Sequence, residues 1–388
     1  MLARASRKCY LAANKRTLMR RKVAADIAKA EGRLRSKLAS PEENMNRSAR
    51  QTTSLVLITC ALALGAASLR SQSPTPRPLG TFTLGPVVTT NCPLGFTCNQ
   101  FSVACPNIPV DATGVTAVQK PTVPTKGMIM FFSGWKGTDW WQMRSPLVPP
   151  FFQSLLDNGY ELVQLAWNIS WLQAPPNVQA GQKLLACRVA TAIKWTHDNW
   201  YIPLGLQPQT GHCGFCLTGS SGGAAAITYA LASYGIDRFV DAAVPTGGPP
   251  MASIEKGCLQ QVGYAYPPGA DRLIDLSYGY RYALTGAGPC ELHDATWAQT
   301  WINNSVETGG ISYNYPTTRI HIIVGGQDNV IIHNHANDYF HVLAATHQPM
   351  LTWQRVPRMA HQITQSQDGL DALFRALTQG KRSKSIAH

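Results

Sequence analysis

The sequence has little charge of either sign outside its N-terminal stretch. Its 388 residues include 34 Lys and Arg and 21 Asp and Glu, a formal net charge of +13. Residues 1–50 hold 14 of the basic and 4 of the acidic residues, so residues 51–388 have a net charge of only +3. Residues 51–388 are nearly neutral, so their charge gives no reason to expect a nucleic-acid partner. The basicity belongs to an N-terminal leader.

The leader also lacks an apolar run long enough to cross a membrane. Its apolar run, residues 55–67, has 13 residues, whereas a membrane-spanning helix needs about 20. Two arginines precede this run and small residues end it, which is the order of an export signal. We therefore expect residues 1–70 to be a basic leader with an export signal cleaved near residues 67–71, with Met45 as an alternative start. The competing interpretation is an uncleaved N-terminal anchor.

The cysteines lack the spacing of a zinc site. No second pair of Cys or His stands at suitable spacing from Cys213 and Cys216. This Cys-x-x-Cys motif precedes a predicted strand, whereas a thioredoxin-type redox pair opens a helix. An even number of cysteines in an exported chain favours disulfides, and with them a secreted or periplasmic location. We expect Cys258 to pair with Cys290, and Cys187 to reach Cys213 or Cys216. The cysteines beyond the leader are Cys92, Cys98, Cys105, Cys187, Cys213, Cys216, Cys258 and Cys290.

Apolar runs alternate with amphipathic segments from residue 128 onward. Continuous apolar strands separated by such helices predict a mostly parallel central sheet with helices on both faces. Two earlier β-like runs within residues 81–106 predict antiparallel opening strands, after a linker at 71–80. The alternation stops at 249–317, a stretch rich in Gly, Pro and Tyr that we interpret as an insertion after the sixth strand. Predicted strands cover 128–132, 162–167, 214–218, 239–244, 320–324 and 351–356, and predicted helices cover 149–157, 182–200, 224–234, 336–345 and 370–377.

Residues 219–223, Gly-Ser-Ser-Gly-Gly, separate a predicted buried strand from a predicted helix of small residues. A serine at the apex of so sharp a turn needs small residues two positions before and two after it. Ser221 has glycine at both positions, whereas Ser220 has Thr218 before it, so Ser221 is the better candidate nucleophile. The N–H of Gly222, which opens the helix, is suited to bind a developing oxyanion. An ordinary Gly/Ser-rich turn is the alternative.

This order of strand, tight turn and helix resembles the nucleophile elbow of the α/β-hydrolase superfamily. The resemblance covers roughly residues 81–380 and implies an α/β-hydrolase domain at 81–388 with a cap-like insertion. Members of the family carry an acid after the seventh strand and a histidine after the eighth. The matching positions are Asp328, in Gly-Gly-Gln-Asp directly after a predicted strand, and His361, between the last strand and the last helix. Asp241 is a rival acid, but it lies within its strand.

The resemblance also implies a second oxyanion donor in the loop after the strand at 128–132. The family often has His-Gly-x in this loop, and here Ser133 takes the His position, so we predict the N–H of Trp135 as the donor. Trp135 is one of five tryptophans on loops at this edge of the predicted sheet. The other four, interpreted as walls of the substrate pocket, are Trp140, Trp141, Trp167 and Trp171. Capping the core is their alternative role.

A cluster of His333, His335, Asp338 and His341 suggests a metal site. Asp338 and His341 share a helix face, but the two other histidines are predicted to lie before the helix or at its very start. We therefore favour a polar helix start, with Asn334 as the cap, over a metal site. The sequence predicts neither a metal nor a cofactor.

Together these features predict an exported serine hydrolase that cleaves carboxylic esters, small or polymeric, through an acyl-enzyme. Ser221 attacks, His361 acts as general acid and base, and Asp328 orients the histidine. Few charges stand among the tryptophans, which favours an uncharged ester with an apolar or aromatic portion. A peptidase or amidase with the same triad remains an alternative, as does a catalytically silent binding module with the same fold.

Overall fold

The structure is a computed structural model that describes residues 75–206 and 212–378. The predicted leader, its cleavage site and most of the linker lie outside these residues. Within the described ranges, no helix is long and apolar enough to cross a membrane.

A nine-stranded sheet forms the centre of the described chain. Its strands are β1 Thr81–Val88, β2 Thr97–Ala104, β3 Ala112–Gln119, β4 Gly127–Phe132, β5 Tyr160–Trp167, β6 Phe215–Ser220, β7 Ala242–Thr246, β8 Arg319–Gly325 and β9 Leu351–Val356. Their order across the sheet is β1-β2-β3-β5-β4-β6-β7-β8-β9. The first three strands pair antiparallel, and β3 joins β5 antiparallel. The strands from β4 to β9 run parallel, so their carboxyl ends meet at one edge.

Helices cover both faces of the sheet. They are α1 Val148–Asp157, α2 Gly181–Leu185, α3 Cys187–Thr196, α4 Gly222–Tyr234, α5 Ile254–Cys258, α6 Ala270–Leu276, α7 Tyr282–Thr285, α8 Ala298–Asn304, α9 Val306–Gly309, α10 Val330–Ala345 and α11 Gln367–Thr378. Successive side chains of β4 alternate between two cores, as a pleated strand requires. Met128, Met130 and Phe132 pack into the core that includes α3, α4 and α10, and Ile129 and Phe131 into the one that includes α1 and α11. The predicted sheet with two covered faces is confirmed.

Two strands differ from the sequence prediction. β3 was not predicted, because its sequence Ala-Thr-Gly-Val-Thr-Ala-Val-Gln is small and polar and carries no continuous apolar run. It is held by backbone pairing with β2 and β5 on its two sides. With β3 counted, the insertion follows the seventh strand along the chain. β7 begins at Ala242, because Ile236–Phe239 forms a 3₁₀ turn before it.

The eight described cysteines form four pairs. They are Cys92–Cys98, Cys105–Cys187, Cys213–Cys216 and Cys258–Cys290. The predicted bridge within the insertion, Cys258–Cys290, is confirmed. The prediction for Cys187 is wrong: it bridges to Cys105, which follows β2, because α3 packs against the opening strands of the sheet.

A buried polar network fastens the insertion to α10. Nζ of Lys256 lies 3.1 Å from Oε1 of Glu307 and 2.7 Å from Oδ2 of Asp338. Oγ of Ser253 lies 2.6 Å from both carboxylates, and the Tyr264 hydroxyl donates to Asp338 at 3.0 Å. Burial raises the pKa of Glu307. Lys256 therefore lies between two half-buried carboxyl groups. Its ion pair with Asp338 links the insertion electrostatically to α10.

Candidate active site

Ser221 occupies a strained turn between β6 and α4. Its φ of 53° and ψ of −113° lie outside the regions that residues other than glycine ordinarily adopt. A Cβ on Gly219 would lie 2.5 Å from the carbonyl C and O of Gly223, and a Cβ on Gly223 would overlap the carbonyl oxygen of Phe132. The two glycines that the motif predicts are therefore required by contacts between backbone segments.

Main-chain hydrogen bonds hold this serine at the edge of the sheet. The Ser221 N–H donates to Thr246 O at 2.9 Å, and Ser221 O accepts from the Ala225 N–H at 3.0 Å as α4 begins. Ser221 is partly exposed, whereas Ser220 is only 3% exposed and its hydroxyl is buried without a hydrogen-bond partner. Of the two adjacent serines, Ser221 is the one that a substrate can reach.

Asp328 and His361 meet at the same edge. Asp328 follows β8 within a tight turn, and its side chain is 1% exposed. Nδ1 of His361 lies 3.0 Å from Oδ2 of Asp328, and Oδ1 of Asp328 accepts from the Asn329 N–H at 2.8 Å. Because a carboxylate accepts, Nδ1 of the histidine must carry the proton in this contact. The neutral ring then presents a free lone pair at Nε2, as a general base requires.

The turn after β7 brings the serine and the histidine to one place. Gly247 follows Thr246, the residue that holds the Ser221 N–H. A Cβ on Gly247 would lie 3.4 Å from Nδ1 and Cε1 of His361 and 2.8 Å from its carbonyl oxygen. Of the two side-chain contacts that a triad needs, the described residues form the bond between His361 and Asp328. The contact between Ser221 and His361 stays a prediction.

The loop at 133–137, here called the oxyanion loop, packs directly on the elbow. A Cβ on Gly222 would lie 2.9 Å from the Trp135 nitrogen and would overlap its carbonyl oxygen, and one on Gly134 would lie 3.4 Å from Cβ of Ser221. Trp135 itself has a φ of 57°, a left-handed conformation that is uncommon for a tryptophan. The two predicted oxyanion donors, the N–H groups of Gly222 and Trp135, thus belong to backbone segments in direct contact.

The supporting roles of Arg144 and His333 were not predicted from the sequence. Nη2 of Arg144 donates to Gly134 O at 3.3 Å and pairs with Asp139 at 2.7 Å, which braces the oxyanion loop. Nε2 of His333 donates to Gly325 O at 2.7 Å, at the start of the turn that carries the acid. Both act on backbone carbonyls, and no sequence motif marks such a contact.

The four tryptophans predicted as pocket walls are buried in the core, and only Trp140 among them also borders a described cavity near the site. Trp141 stacks on Phe152, Trp167 meets Phe101 edge-on, and Trp171 lies against Tyr229. Nε1 of Trp140 donates to Asn91 O at 2.8 Å, beside the Cys92–Cys98 bridge. All four, Trp140, Trp141, Trp167 and Trp171, are at most 9% exposed. Trp167 is the last residue of β5, and the segments that carry the other three fold back onto the sheet, so a position at this edge did not imply an open side chain. Trp135, by contrast, is 48% exposed.

The histidine cluster is not arranged for a metal. α10 begins at Val330, and its cap is Asn329, whose side chain accepts from the Ile332 N–H. The expected cap Asn334 and both histidines therefore lie inside the helix. His335 is buried, its Nδ1 accepts from the Ser253 N–H at 3.2 Å, and burial lowers its pKa to about 4. Within the described residues, no group of three or more His, Cys, Asp or Glu is placed to hold a metal ion.

The rival acid Asp241 lies at the opposite edge of the sheet. Its Oδ2 accepts from the Phe215 N–H at 2.9 Å, where β6 begins. Asp241 lies at the amino ends of the parallel strands, whereas Ser221 follows the carboxyl end of β6. The length of a strand therefore separates the two residues. The carboxylate of Asp241 therefore supports strand pairing and does not meet His361.

The sequence matches no protein-family model and no curated protein sequence. Among solved structures, carboxyl esterase 2 of the mycorrhizal fungus Tuber melanosporum is 16% identical over 81% of this chain and 94% of its own, with a TM-score of 0.44. A Pyrococcus furiosus esterase is 12% identical over 72% of this chain and 91% of its own, with a TM-score of 0.40. An acylaminoacyl peptidase of Pyrococcus horikoshii is 11% identical over 76% of this chain, with a TM-score of 0.44, and this chain spans only 43% of its length.

Likenesses with TM-scores this low do not support a conclusion about the fold. The strand order and the helices of this chain indicate its fold by themselves. Six parallel strands with helices on both faces carry the serine turn after β6, the acid after β8 and the histidine after β9. β1, β2 and β3 extend the same sheet on the antiparallel side. The described chain therefore has the α/β-hydrolase fold, with the predicted nucleophile Ser221 at the turn between β6 and α4.

Proposed function

We propose that this protein is a serine hydrolase of carboxylic esters. The observation that carries the proposal is the hydrogen bond between His361 and Asp328 beside a serine held at a φ of 53°. A strained serine, a histidine with a fixed tautomer and a buried carboxylate at one sheet edge are the parts of a nucleophilic acyl-transfer site.

The predicted site residues have different roles in the proposed reaction. Nε2 of His361 takes the proton of Ser221 as Oγ attacks the ester carbonyl, and Asp328 stabilises the resulting imidazolium. The N–H groups of Gly222 and Trp135 bind the oxyanion. The histidine then returns the proton to the leaving alcohol, which gives the acyl-enzyme. Water, deprotonated by the same nitrogen, then attacks the acyl-enzyme, and the histidine passes that proton to Oγ of Ser221 as the acid leaves.

The preference for esters over peptides is tested with matched substrates. p-Nitrophenyl esters are compared with p-nitroanilides of the same acyl groups and with a few chromogenic peptides. We expect turnover of the esters with kcat/KM far above that of the anilides. Clear turnover of anilides or peptides with negligible ester cleavage would replace this proposal by a peptidase.

Export is the second part of the proposal. Four disulfide pairs within the described residues fit an oxidising compartment, where such bridges persist. The export signal predicted within residues 1–70 directs the protein to that compartment in this proposal. N-terminal sequencing of the mature protein from medium or periplasm should find a start near residues 67–71. Several thiols that alkylate under native conditions would argue against an exported, disulfide-bonded protein.

A further inference from the structure

A cavity of about 320 Å³ opens between the oxyanion loop and the insertion. Trp135 and Lys136 line it from the oxyanion loop, and α6 and the residues after it line it from the insertion. The backbone of Trp135 packs on Gly222, so the loop that forms one wall of the cavity also contacts the turn that carries Ser221. None of the reaction steps proposed for Ser221, His361 and Asp328 places part of the substrate in this cavity.

Two aromatic rings form the open part of its walls. The side chain of Trp135 is 48% exposed and that of Tyr282 is 59% exposed, although both line the same cavity. Tyr280 also lines the cavity and is partly buried against Trp297. Half-exposed aromatic rings on the wall of one cavity offer apolar surface for a ligand to cover, as the aromatic linings of ligand pockets do.

The ring of Tyr282 is held in place on one side. The guanidinium of Arg272 lies over it, 4.0 Å from the ring centroid. Nε and Nη2 of this arginine donate to Oε1 of Glu291 at 2.9 and 2.7 Å, so its charge is already paired. One face of the ring is thus occupied by a fixed cation, which leaves the other face to stack with a ligand.

The wall behind these residues is also fixed. The carboxylate of Asp275 is buried and accepts from the N–H groups of Cys290 and Glu291 at 2.9 and 3.0 Å. Cys290 is bridged to Cys258 on α5. The segment that carries Glu291 is therefore tied down from both sides, and the ligand does not have to order it.

We propose that this cavity binds an uncharged aromatic ring of the ester substrate, with the ring stacked on Tyr282 and Trp135. The inference rests on the proposed function and adds its substrate class. The cavity carries two basic side chains, Lys136 and Arg272, and two acidic ones, Asp275 and Glu291. Their charges balance, so neither an anionic nor a cationic ring gains from entering.

A second cavity near the site has different walls. It measures about 930 Å³, adjoins the His361 loop at Gln362, and is lined by Asp139, Gln142 and Arg144 among others. Its one aromatic wall, Trp140, is 9% exposed. This cavity offers amide and charged groups to a ligand and little open aromatic surface. The aromatic ring therefore belongs in the smaller cavity.

The test compares pairs of esters that differ in the aromaticity of a ring that is insulated from the reacting group. Benzyl acetate is paired with cyclohexylmethyl acetate, and methyl phenylacetate with methyl cyclohexylacetate, so that a methylene group separates each ring from the carboxyl group. We expect the wild-type kcat/KM to favour the aromatic member by about 2- to 10-fold in one pair, the range of an aromatic stack. The pair that shows the preference tells whether the ring belongs to the acyl or the alcohol part.

Variants assign the preference to the cavity. Tyr282→Ala should remove it through a higher KM for the aromatic ester, and the KM of the saturated ester should rise by less. Tyr282→Phe should keep it, because the ring remains. Met143→Ala, on the second cavity and 74% exposed, is the matched control and should change neither ester. Equal kcat/KM within both pairs, or a preference that survives Tyr282→Ala, would overturn the inference.

Failure of this inference is separable from failure of the proposed function. Ester turnover without aromatic preference rejects the cavity assignment and leaves the hydrolase. If no ester is cleaved, equilibrium binding of methyl phenylacetate to the wild type and to Tyr282→Ala still decides whether the cavity takes the ring. Binding weakened about 2- to 10-fold by the substitution supports the aromatic site, and equal binding rejects it.

Discussion

The elbow and the insertion are held together by different kinds of contact. At the elbow, backbone meets backbone: Gly219 lies against Gly223, and Gly222 against Trp135. The insertion is fastened by side chains, through the Cys258–Cys290 bridge and the Lys256 ion pairs. Where two backbone segments touch, any residue larger than glycine would overlap its neighbour. In the insertion, by contrast, one side-chain contact can be removed while the others remain. We therefore expect substitutions at the elbow to abolish the chemistry and those in the insertion to change stability or selectivity.

The largest effect should come from the nucleophile. Ser221→Ala removes the attacking oxygen, and triad nucleophiles typically account for about 10³-fold or more of kcat. The matched control is Ser220→Ala, which removes a buried hydroxyl without a partner and should keep most activity. Steady-state kinetics on a p-nitrophenyl ester measures both. An inactive Ser220→Ala with an active Ser221→Ala would shift the elbow by one residue. Asp328→Asn and His361→Ala should also be severely impaired.

The next largest effect should come from a single methyl group at the elbow. Gly223→Ala would ordinarily stabilise a helix by about 1 kcal/mol. Here its Cβ would overlap Phe132 O and lie 3.0 Å from Ser133 O, so the oxyanion loop must move. We expect the free energy of unfolding to fall by about 3 kcal/mol or more, together with kcat. Urea denaturation and ester kinetics measure the two effects.

Gly205→Ala is the control for this comparison. Gly205 has a φ of 64°, but no atom lies within 4 Å of its Cβ position. It carries conformational strain alone, about 1 kcal/mol, and it lies away from the elbow. If Gly223→Ala cost no more than Gly205→Ala, contact between backbone segments would not explain the requirement for glycine at the elbow.

A smaller effect is expected from pH, through His335 beneath the insertion. Burial lowers its pKa to about 4, and its Nδ1 accepts from the Ser253 N–H. As pH falls below the usual histidine value of about 6.5, the unfolded chain takes up a proton that the folded chain does not, so stability is lost. Between pH 6.5 and 5 this amounts to about 2 kcal/mol.

The readout is the difference in pH slope between the wild type and His335→Phe. Phenylalanine keeps the ring that stacks on Tyr266 and has no proton to gain. Burial raises the pKa of Asp275 to about 6, and this acts in the opposite direction in both proteins. The variant should be less stable at neutral pH and should lose less stability on acidification. Parallel slopes in urea denaturation from pH 7 to 5 would contradict the expected role of the histidine.

The smallest effect is expected at the Lys256 network. Lys256→Met leaves Glu307 and Asp338 without their shared cation, but the lysine is 29% exposed and solvent reduces the cost. We expect a loss of about 1–2 kcal/mol and little change in kcat. The double variant Lys256→Met/Glu307→Gln should recover part of the loss. A large fall in kcat for Lys256→Met would show that the insertion is coupled to the chemistry.

The sequence predicted those elements whose signal is local. The runs at β4 and β8 are mainly apolar, β9 begins with alternating apolar and polar residues, and the Gly-x-Ser-x-Gly spacing directly reflects the backbone contacts around Ser221. Asp328 and His361 were placed by their order after two such strands. Their hydrogen bond across 33 residues of sequence is a tertiary contact that the order made expected.

Features that depend on distant partners were not predicted. β3 is defined by its neighbours, and Cys187 pairs with a cysteine 82 residues away. The direction in which Trp141 and Trp171 point is set by Phe152 and Tyr229. A sequence pattern gives the position of such a residue on a loop and leaves its side-chain environment open.

The most direct test of the central claim is labelling with a fluorophosphonate, followed by peptide mapping of the adduct. The elbow, the fixed histidine and the buried carboxylate predict one adduct per chain, on Ser221, with none in Ser221→Ala and almost none in His361→Ala. This result would establish the nucleophile and exclude the silent binding module together. Folded protein that stays unlabelled, or an adduct on a serine elsewhere in the chain, would contradict the assignment of the active site.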